Sequence, residues 1–198
     1  MFPPTFDTDR LEFDRYCRET IDSLELYELI SHRNPSIDEE MQYVPWNPIE
    51  TVGDAADRLG TFEQKWKTRE RAEWLITPKE SEDGAGEFAG SAGLICEWER
   101  DLALPTIWLR KPFWGRGYSG ERADALLNIA FERLDFSIVA IPLHRDNDKS
   151  HTAVKRYVER HGGRYEGLLR NHAGRYDEPV DHHRFSISQA EYRTSKEQ

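Results

Sequence analysis

Cysteine is nearly absent from this 198-residue chain: Cys17 and Cys96 are its two thiols. Two are too few for a disulfide framework or a cysteine metal site. Long apolar runs are missing as well, and none approaches the roughly 20 residues a membrane span needs. The opening Met1-Phe2-Pro3-Pro4-Thr5 has neither the basic region nor the apolar core of a signal peptide. Lysine is scarce, with 7 against 20 arginines, and acids outnumber bases 37 to 27 for a net charge of −10. That balance argues against broad nucleic-acid binding, which needs a basic face. The expectation is a soluble, cytoplasmic protein with neither nucleic acid nor membrane as a partner.

What is present is a globular composition. Hydrophobic residues make up 37% and aromatics 12%, enough for one well-buried core, so residues 1–198 read as a single domain with 1–9 and 193–198 as flexible ends. The stretch Phe113-Trp114-Gly115-Arg116-Gly117-Tyr118-Ser119-Gly120-Glu121 stands out. Its glycines let the backbone bend and approach a ligand closely. Ala123, Leu126, Leu127, Ala130, Phe131 and Leu134 follow at helical spacing. A glycine-rich loop opening a helix presents N–H groups and a positive dipole end, which suit a phosphate.

Periodicity supplies the surroundings. Arg10–Tyr16 alternates as a half-buried strand. Ser23–Ile30 and Thr51–Arg71 (Ala55, Leu59, Phe62, Trp66) read as helices, with a Pro- and Trp-rich loop, Asn34–Pro48, between them. Strands are expected at Ala72–Thr77, at Glu87–Trp98 with a bend or bulge at Gly90 and Gly93, at Thr106–Leu109 and at Phe136–Ile141. The polar segment Ser81–Gly86 is a hairpin loop. A helix opens near Asp146–Ser150 with Ala153, Val154, Tyr157 and Val158 inward, and ends at Gly162-Gly163. Strands at Arg164–Leu169 and His182–Ile187 close the chain. Ser188–Glu191 has capping-box spacing but little chain left for a helix. The order β-α-α-β-β-β-α-β-α-β-β describes a mixed α/β sheet.

Gly115-x-Gly117-x-x-Gly120 matches the dinucleotide fingerprint by letter, yet Arg110–Trp114 separates it from the preceding strand and three hairpin strands come before it. No Lys-Ser or Lys-Thr follows, so it is not a P-loop. Taken together, Trp114–Glu121, the apolar helix, the Ile138–Ile141 strand and Asn147-Asp148-Lys149-Ser150 resemble the GNAT superfamily of acetyl-CoA-dependent N-acetyltransferases. Within it they look most like the branch that contains the ribosomal-protein N-terminal acetyltransferases. Trp114 stands where the wider family has Gln or Arg, Ser119 where it has Gly or Ala, and His161-Gly162-Gly163-Arg164-Tyr165 where relatives have one Gly and then Phe.

The resemblance implies a single-domain, mostly antiparallel twisted sheet with a central parallel strand pair, flanked by helices. It implies acetyl-CoA as acetyl donor to an amine acceptor, a protein N-terminus or a small amine, by direct attack on the thioester, and it allows a homodimer. The alternative is a catalytically silent acyl-CoA-binding module. Carried over by position, the N–H groups of Gly115, Arg116, Gly117, Tyr118, Ser119 and Gly120 hold the pyrophosphate, with the Arg116 side chain adding a charge. Trp108 and Leu109 pair their backbone with the pantetheine arm, and Asn147 bonds its amide. Ser150 protonates the departing thiolate, with Tyr157 as second candidate, although either has a plain structural alternative as a helix cap or core residue. Glu97 and Glu99 are the candidate bases. Substrate contacts are expected from Asn34–Trp66 and from a loop around Asn171–Asp181. His182 and His183, adjacent on a strand, point to opposite faces, and no metal site is assigned.

The acidic, lysine-poor composition suits a high-salt cytoplasm, where salt screens self-repulsion; an ordinary acidic enzyme is the other reading. The first predicts a melting temperature that falls as salt is withdrawn. Indifference to salt would leave the second.

Overall fold

In the computed structural model, which describes residues 1–175 and 178–197, one eight-stranded sheet runs in the order β1-β2-β3-β4-β5-β6-β8-β7. The strands are β1 (Thr5–Asp7), β2 (Leu11–Arg15), β3 (Arg71–Pro78), β4 (Gly90–Glu97), β5 (Leu102–Leu109), β6 (Ile138–His144), β7 (Arg164–Arg175) and β8 (Glu178–Ser188). The pair β5 and β6 is parallel, in register at Leu102–Ile138 and Ala103–Val139, whereas β6 and β7 each pair with β8 antiparallel. This is the mixed sheet with a central parallel pair that the resemblance implies. The helices are α1 (Ser23–Ile30), α2 (Ile37–Glu40), α3 (Val52–Thr68), α4 (Tyr118–Asn128), α5 (Asp148–Arg160) and α6 (Gln189–Lys196).

The contacts group the chain into two compact units, Met1–Leu94 with Thr106–Tyr118, and Ile95–Pro105 with Ser119–Gln198. In the first, α1 starts at Asp22, whose carboxylate accepts from Leu24 N, and α3 starts with a capping box between Thr51 and Asp54. Capping satisfies N–H groups that a helix start leaves without partners. The apolar faces of both helices bury Leu26, Ile30, Ala55 and Leu59 with Tyr16, Leu75, Phe88 and Trp108. In the second unit, α4 runs into a π-helical turn, Ile129–Arg133, and α5 ends at His161 before Gly162, which has φ +74°.

Four features depart from the sequence reading. The first residues are not a loose end: β1 pairs with β2, Phe2 is buried, and Trp74 Nε1 donates to Pro3 O at 2.9 Å. The Asn34–Pro48 loop contains α2, held because Glu40 is buried and accepts from Asn34 Nδ2, Ser36 Oγ and Lys111 N. Gly90 and Gly93 mark close approach: a Cβ would lie 2.1 Å from Trp108 O at Gly90 and 2.1 Å from Glu73 Oε2 at Gly93.

The fourth is the C-terminal segment, which forms α6 rather than a flexible end. Ser188 and Glu191 make the full capping box, and Tyr192 packs on Phe131 with ring centroids 4.9 Å apart. Eight residues suffice because the helix is held by tertiary packing and a cap, not by propensity. Ser188→Ala is expected to lower the free energy of unfolding by about 1 kcal/mol in urea denaturation. No loss would mean that the cap contributes nothing.

Candidate functional site

The 3-10 turn Lys111–Phe113 carries the chain from β5 into the glycine loop, with Pro112 inside it and Phe113 buried. Trp114 Nε1 donates back to Leu109 O at 2.8 Å, pinning the turn. Gly115 and Gly117 then take φ +76° and +81°, backbone that only glycine adopts without strain. Both are exposed. Among the described residues none accepts a hydrogen bond from the backbone N–H of Gly115, Arg116 or Gly117. Helix α4 begins at Tyr118, so Ser119 and Gly120 already lie in its first turn. Outward N–H groups leading into a helix N-terminus fit an anion such as a pyrophosphate.

The side chains of this loop do something the sequence did not announce. Arg116, expected to reach a phosphate, instead donates to Asp83 O at 2.6 Å and Asp83 Oδ2 at 3.1 Å and stacks on Phe113. Hydrogen bonding to Tyr118 holds its pKa above the usual arginine value. The hydroxyl of buried Tyr118 donates to Glu82 Oε2 at 2.8 Å. From the N-terminal side, Arg10 lies over the Tyr118 ring and donates to Arg116 O at 2.9 Å. The 81–86 hairpin and Arg10 therefore brace the loop. The sequence showed these residues only as a polar turn and a strand start.

The candidate catalytic residues fall in different surroundings. Asn147 is the N-cap of α5, and its Oδ1 accepts from Ser150 N at 3.1 Å. The capping role is thus filled by Asn147, and half-buried Ser150 is left with an Oγ that bonds nothing among the described residues. Tyr157 sits seven residues further on, about 10 Å along the axis at 1.5 Å per residue. It is fully buried, and no hydrogen bond of normal geometry reaches its hydroxyl. Burial pushes its pKa up, with the Arg122 charge opposing. Tyr157 shares a face of α5 with Ser150, and its side chain is buried.

Glu97 and Glu99 lie at the hairpin between β4 and β5. Glu97 is ion-paired with Arg100 at 2.6 Å and Glu99 is in the 3-10 turn Trp98–Arg100. Both precede the start of β5 at Leu102, so roughly 23 Å of strand, at 3.3 Å per residue, separates that end from Leu109. Trp108 has a buried side chain against Phe88, with ring centroids 5.9 Å apart, so only its backbone could pair with a cofactor. The carbonyl of Leu109 is taken by Trp114. The expected loop Asn171–Asp181 is the far end of β7 and β8, of which residues 176 and 177 lie outside the described residues.

Histidines gather in the second unit. His182 lies between His144 and His172, with ring centroids 6.0 and 5.8 Å away, while His183 neighbours His151 at 4.8 Å. Adjacent strand residues do face opposite ways, and among the described residues no cluster of three His, Cys, Asp or Glu could hold a metal ion. Burial lowers the His182 pKa below its ordinary 6.5, and the charges of His172 and His144 push it the same way. The folded state thus favours neutral His182, so this contribution to stability is present above about pH 6.5 and lost as pH falls. Urea denaturation from pH 7.5 to 5.5 should show wild type losing stability relative to His182→Gln; parallel curves would contradict this.

A family model described as Acetyltransferase (GNAT) domain matches residues 10–157. No curated protein matches the chain. Among solved structures, a GCN5-related N-acetyltransferase from Brucella melitensis is 18% identical with TM-score 0.76, over 98% of this chain and 82% of that one. The Microcin C7 self immunity acetyltransferase MccE, solved in complex with acetyl-CoA and AMP, is 18% identical with TM-score 0.76, over 94% and 97%. The ribosomal L7/L12 alpha-N-protein acetyltransferase RimL is 16% identical with TM-score 0.73, over 93% of each chain. With three quarters of its length matched by the family model, the chain belongs to the GNAT acetyltransferases, enzymes that take their acetyl group from acetyl-CoA.

Proposed function

We propose that the protein transfers an acetyl group from acetyl-CoA to a primary amine, a protein N-terminus or a small-molecule amine. The observation that carries this reading is the Gly115–Gly117 backbone, turned outward with unaccepted N–H groups while its side chains are tied down. On it, those groups and the first turn of α4 hold the pyrophosphate. The backbone of β5 near Trp108 receives the pantetheine arm, and a backbone N–H there polarises the thioester carbonyl. Asn147 keeps Ser150 in place through its cap and has its amide nitrogen left for the arm. Acetyl-CoA supplies an activated acyl group and a thiolate leaving group.

Acetyl transfer to an amine moves two protons, one off the attacking ammonium and one to the sulfur. Ser150 Oγ is the donor for the second, because it is half-buried and not engaged as a cap. Glu97, paired with Arg100, and Glu99, in the hairpin turn between β4 and β5, stay the candidates for the first. Ser150→Ala should lower kcat about 100-fold with acetyl-CoA affinity near wild type, read by thiol release across a panel of amines and peptides. Turnover close to wild type would remove Ser150 from the mechanism. Binding of acetyl-CoA with no transfer to any acceptor would leave the silent acyl-CoA-binding module.

A further inference from the structure

Inside the first unit, several buried hydrogen-bond donors have no acceptor among the described residues. Thr106 and Trp108, two apart on β5, share one face of the strand. Thr106 Oγ1 and Trp108 Nε1 are buried, and neither has a partner among the described residues. Trp108 belongs to the core cluster with Tyr16, onto which Trp46 and Phe62 pack. Arg58 enters from α3. Its guanidinium carbon is 5.0 Å from the Trp46 ring and 5.8 Å from the Phe62 ring. Rings on its faces leave the edge of the guanidinium for hydrogen bonds. Arg58 Nε and Trp46 Nε1 are also buried and unpartnered.

The charge here is uneven. Glu73 is buried, but it is spent on other groups: it accepts from Arg71 Nε and from Ser91 Oγ, each at 2.9 Å. Arg58 has no carboxylate within ion-pair distance among the described residues. Tyr16, with its pKa raised by burial, stays a neutral phenol. Two arginines and one glutamate leave one positive charge over in a protein whose net charge is −10. A buried charge is costly unless a partner completes it. Indole and guanidinium groups only donate, so the completing group brings oxygens and negative charge.

We propose that Arg58 and Trp46, beside the core cluster that includes Trp108, form the acceptor subsite, and that it takes an amine carrying an oxyanion, a carboxylate or a phosphate. Arg58 holds the oxyanion by its edge, and the Trp46 indole beside it completes the shell. The assignment of this cluster to the acceptor rests on the acetyl-transfer reading. The affinity of the cluster for an oxyanion does not.

Two arms test it. In the first, acetyl transfer is measured to glycine against glycinamide and to phosphoethanolamine against ethanolamine. The charged member of at least one pair should have kcat/KM at least about tenfold higher, and Arg58→Met should abolish that preference while acetyl-CoA affinity holds. Equal rates within both pairs would overturn the proposal and leave acetyl transfer standing; the pair that discriminates tells carboxylate from phosphate. In the second, N-acetylglycine with its amide and N-acetylphosphoethanolamine with N-acetylethanolamine are titrated against the tryptophan fluorescence of the protein, which needs no turnover. Saturable binding of the charged member alone in at least one pair, lost in Arg58→Met, is expected, and equal binding within both pairs or no binding at all would overturn the proposal. Arg58→Met should melt no lower than wild type, since it removes a charge without an ion pair. A lower melting temperature with the charge preference intact would make Arg58 structural. Arg58→Lys should recover part of the preference.

Discussion

The backbone of Gly115 and Gly117 can face outward because the side chains beside it are tied inward. Arg116 goes to Asp83, Tyr118 to Glu82, and Arg10 closes over both. Without those ties a stretch with two residues at positive φ would sample many conformations, and ordering it would have to come from the ligand. The polar 81–86 hairpin therefore works as a buttress. The same ties engage Arg116: its charge raises the local potential while its hydrogen bonds to Asp83 hold the loop.

The helices with strong caps were legible. Asp22, Thr51 and Asn147 each open the helix that periodicity predicted, and Gly162 ends α5, because capping is local chemistry written in a few adjacent residues. What was not legible depends on packing. Strand β1 is three residues long and exists through its pairing with β2, α2 is a single turn held by buried Glu40, and the short α6 needs Tyr192 on Phe131 in addition to its capping box. The central parallel pair followed from the family resemblance rather than from any residue pattern, and the strand order is seen only in the structure.

The candidate site divides along the same line. The glycine loop and the Asn147–Ser150 turn are contiguous motifs and could be read directly. The Arg58 cluster could not, since Tyr16, Trp46, Arg58, Glu73, Ser91 and Trp108 come from six separate segments. One signal was available: Arg58 falls beside Ala55, Leu59 and Phe62 on the inward stripe of α3, and a charged residue on an apolar face needs a reason. The candidate bases Glu97 and Glu99 were legible only as acids at the end of a strand, a position that carries no mark of the partner each takes, such as Arg100 for Glu97.

The central claim is that the backbone N–H groups of Gly115–Gly120 anchor the coenzyme. Titrating coenzyme A into the isotopically labelled protein and following amide resonances tests it directly. Gly115, Arg116 and Gly117 amides should shift to lower field and saturate together, as N–H groups do when they take up a phosphate oxygen. Saturable binding with those three amides unmoved would contradict the account.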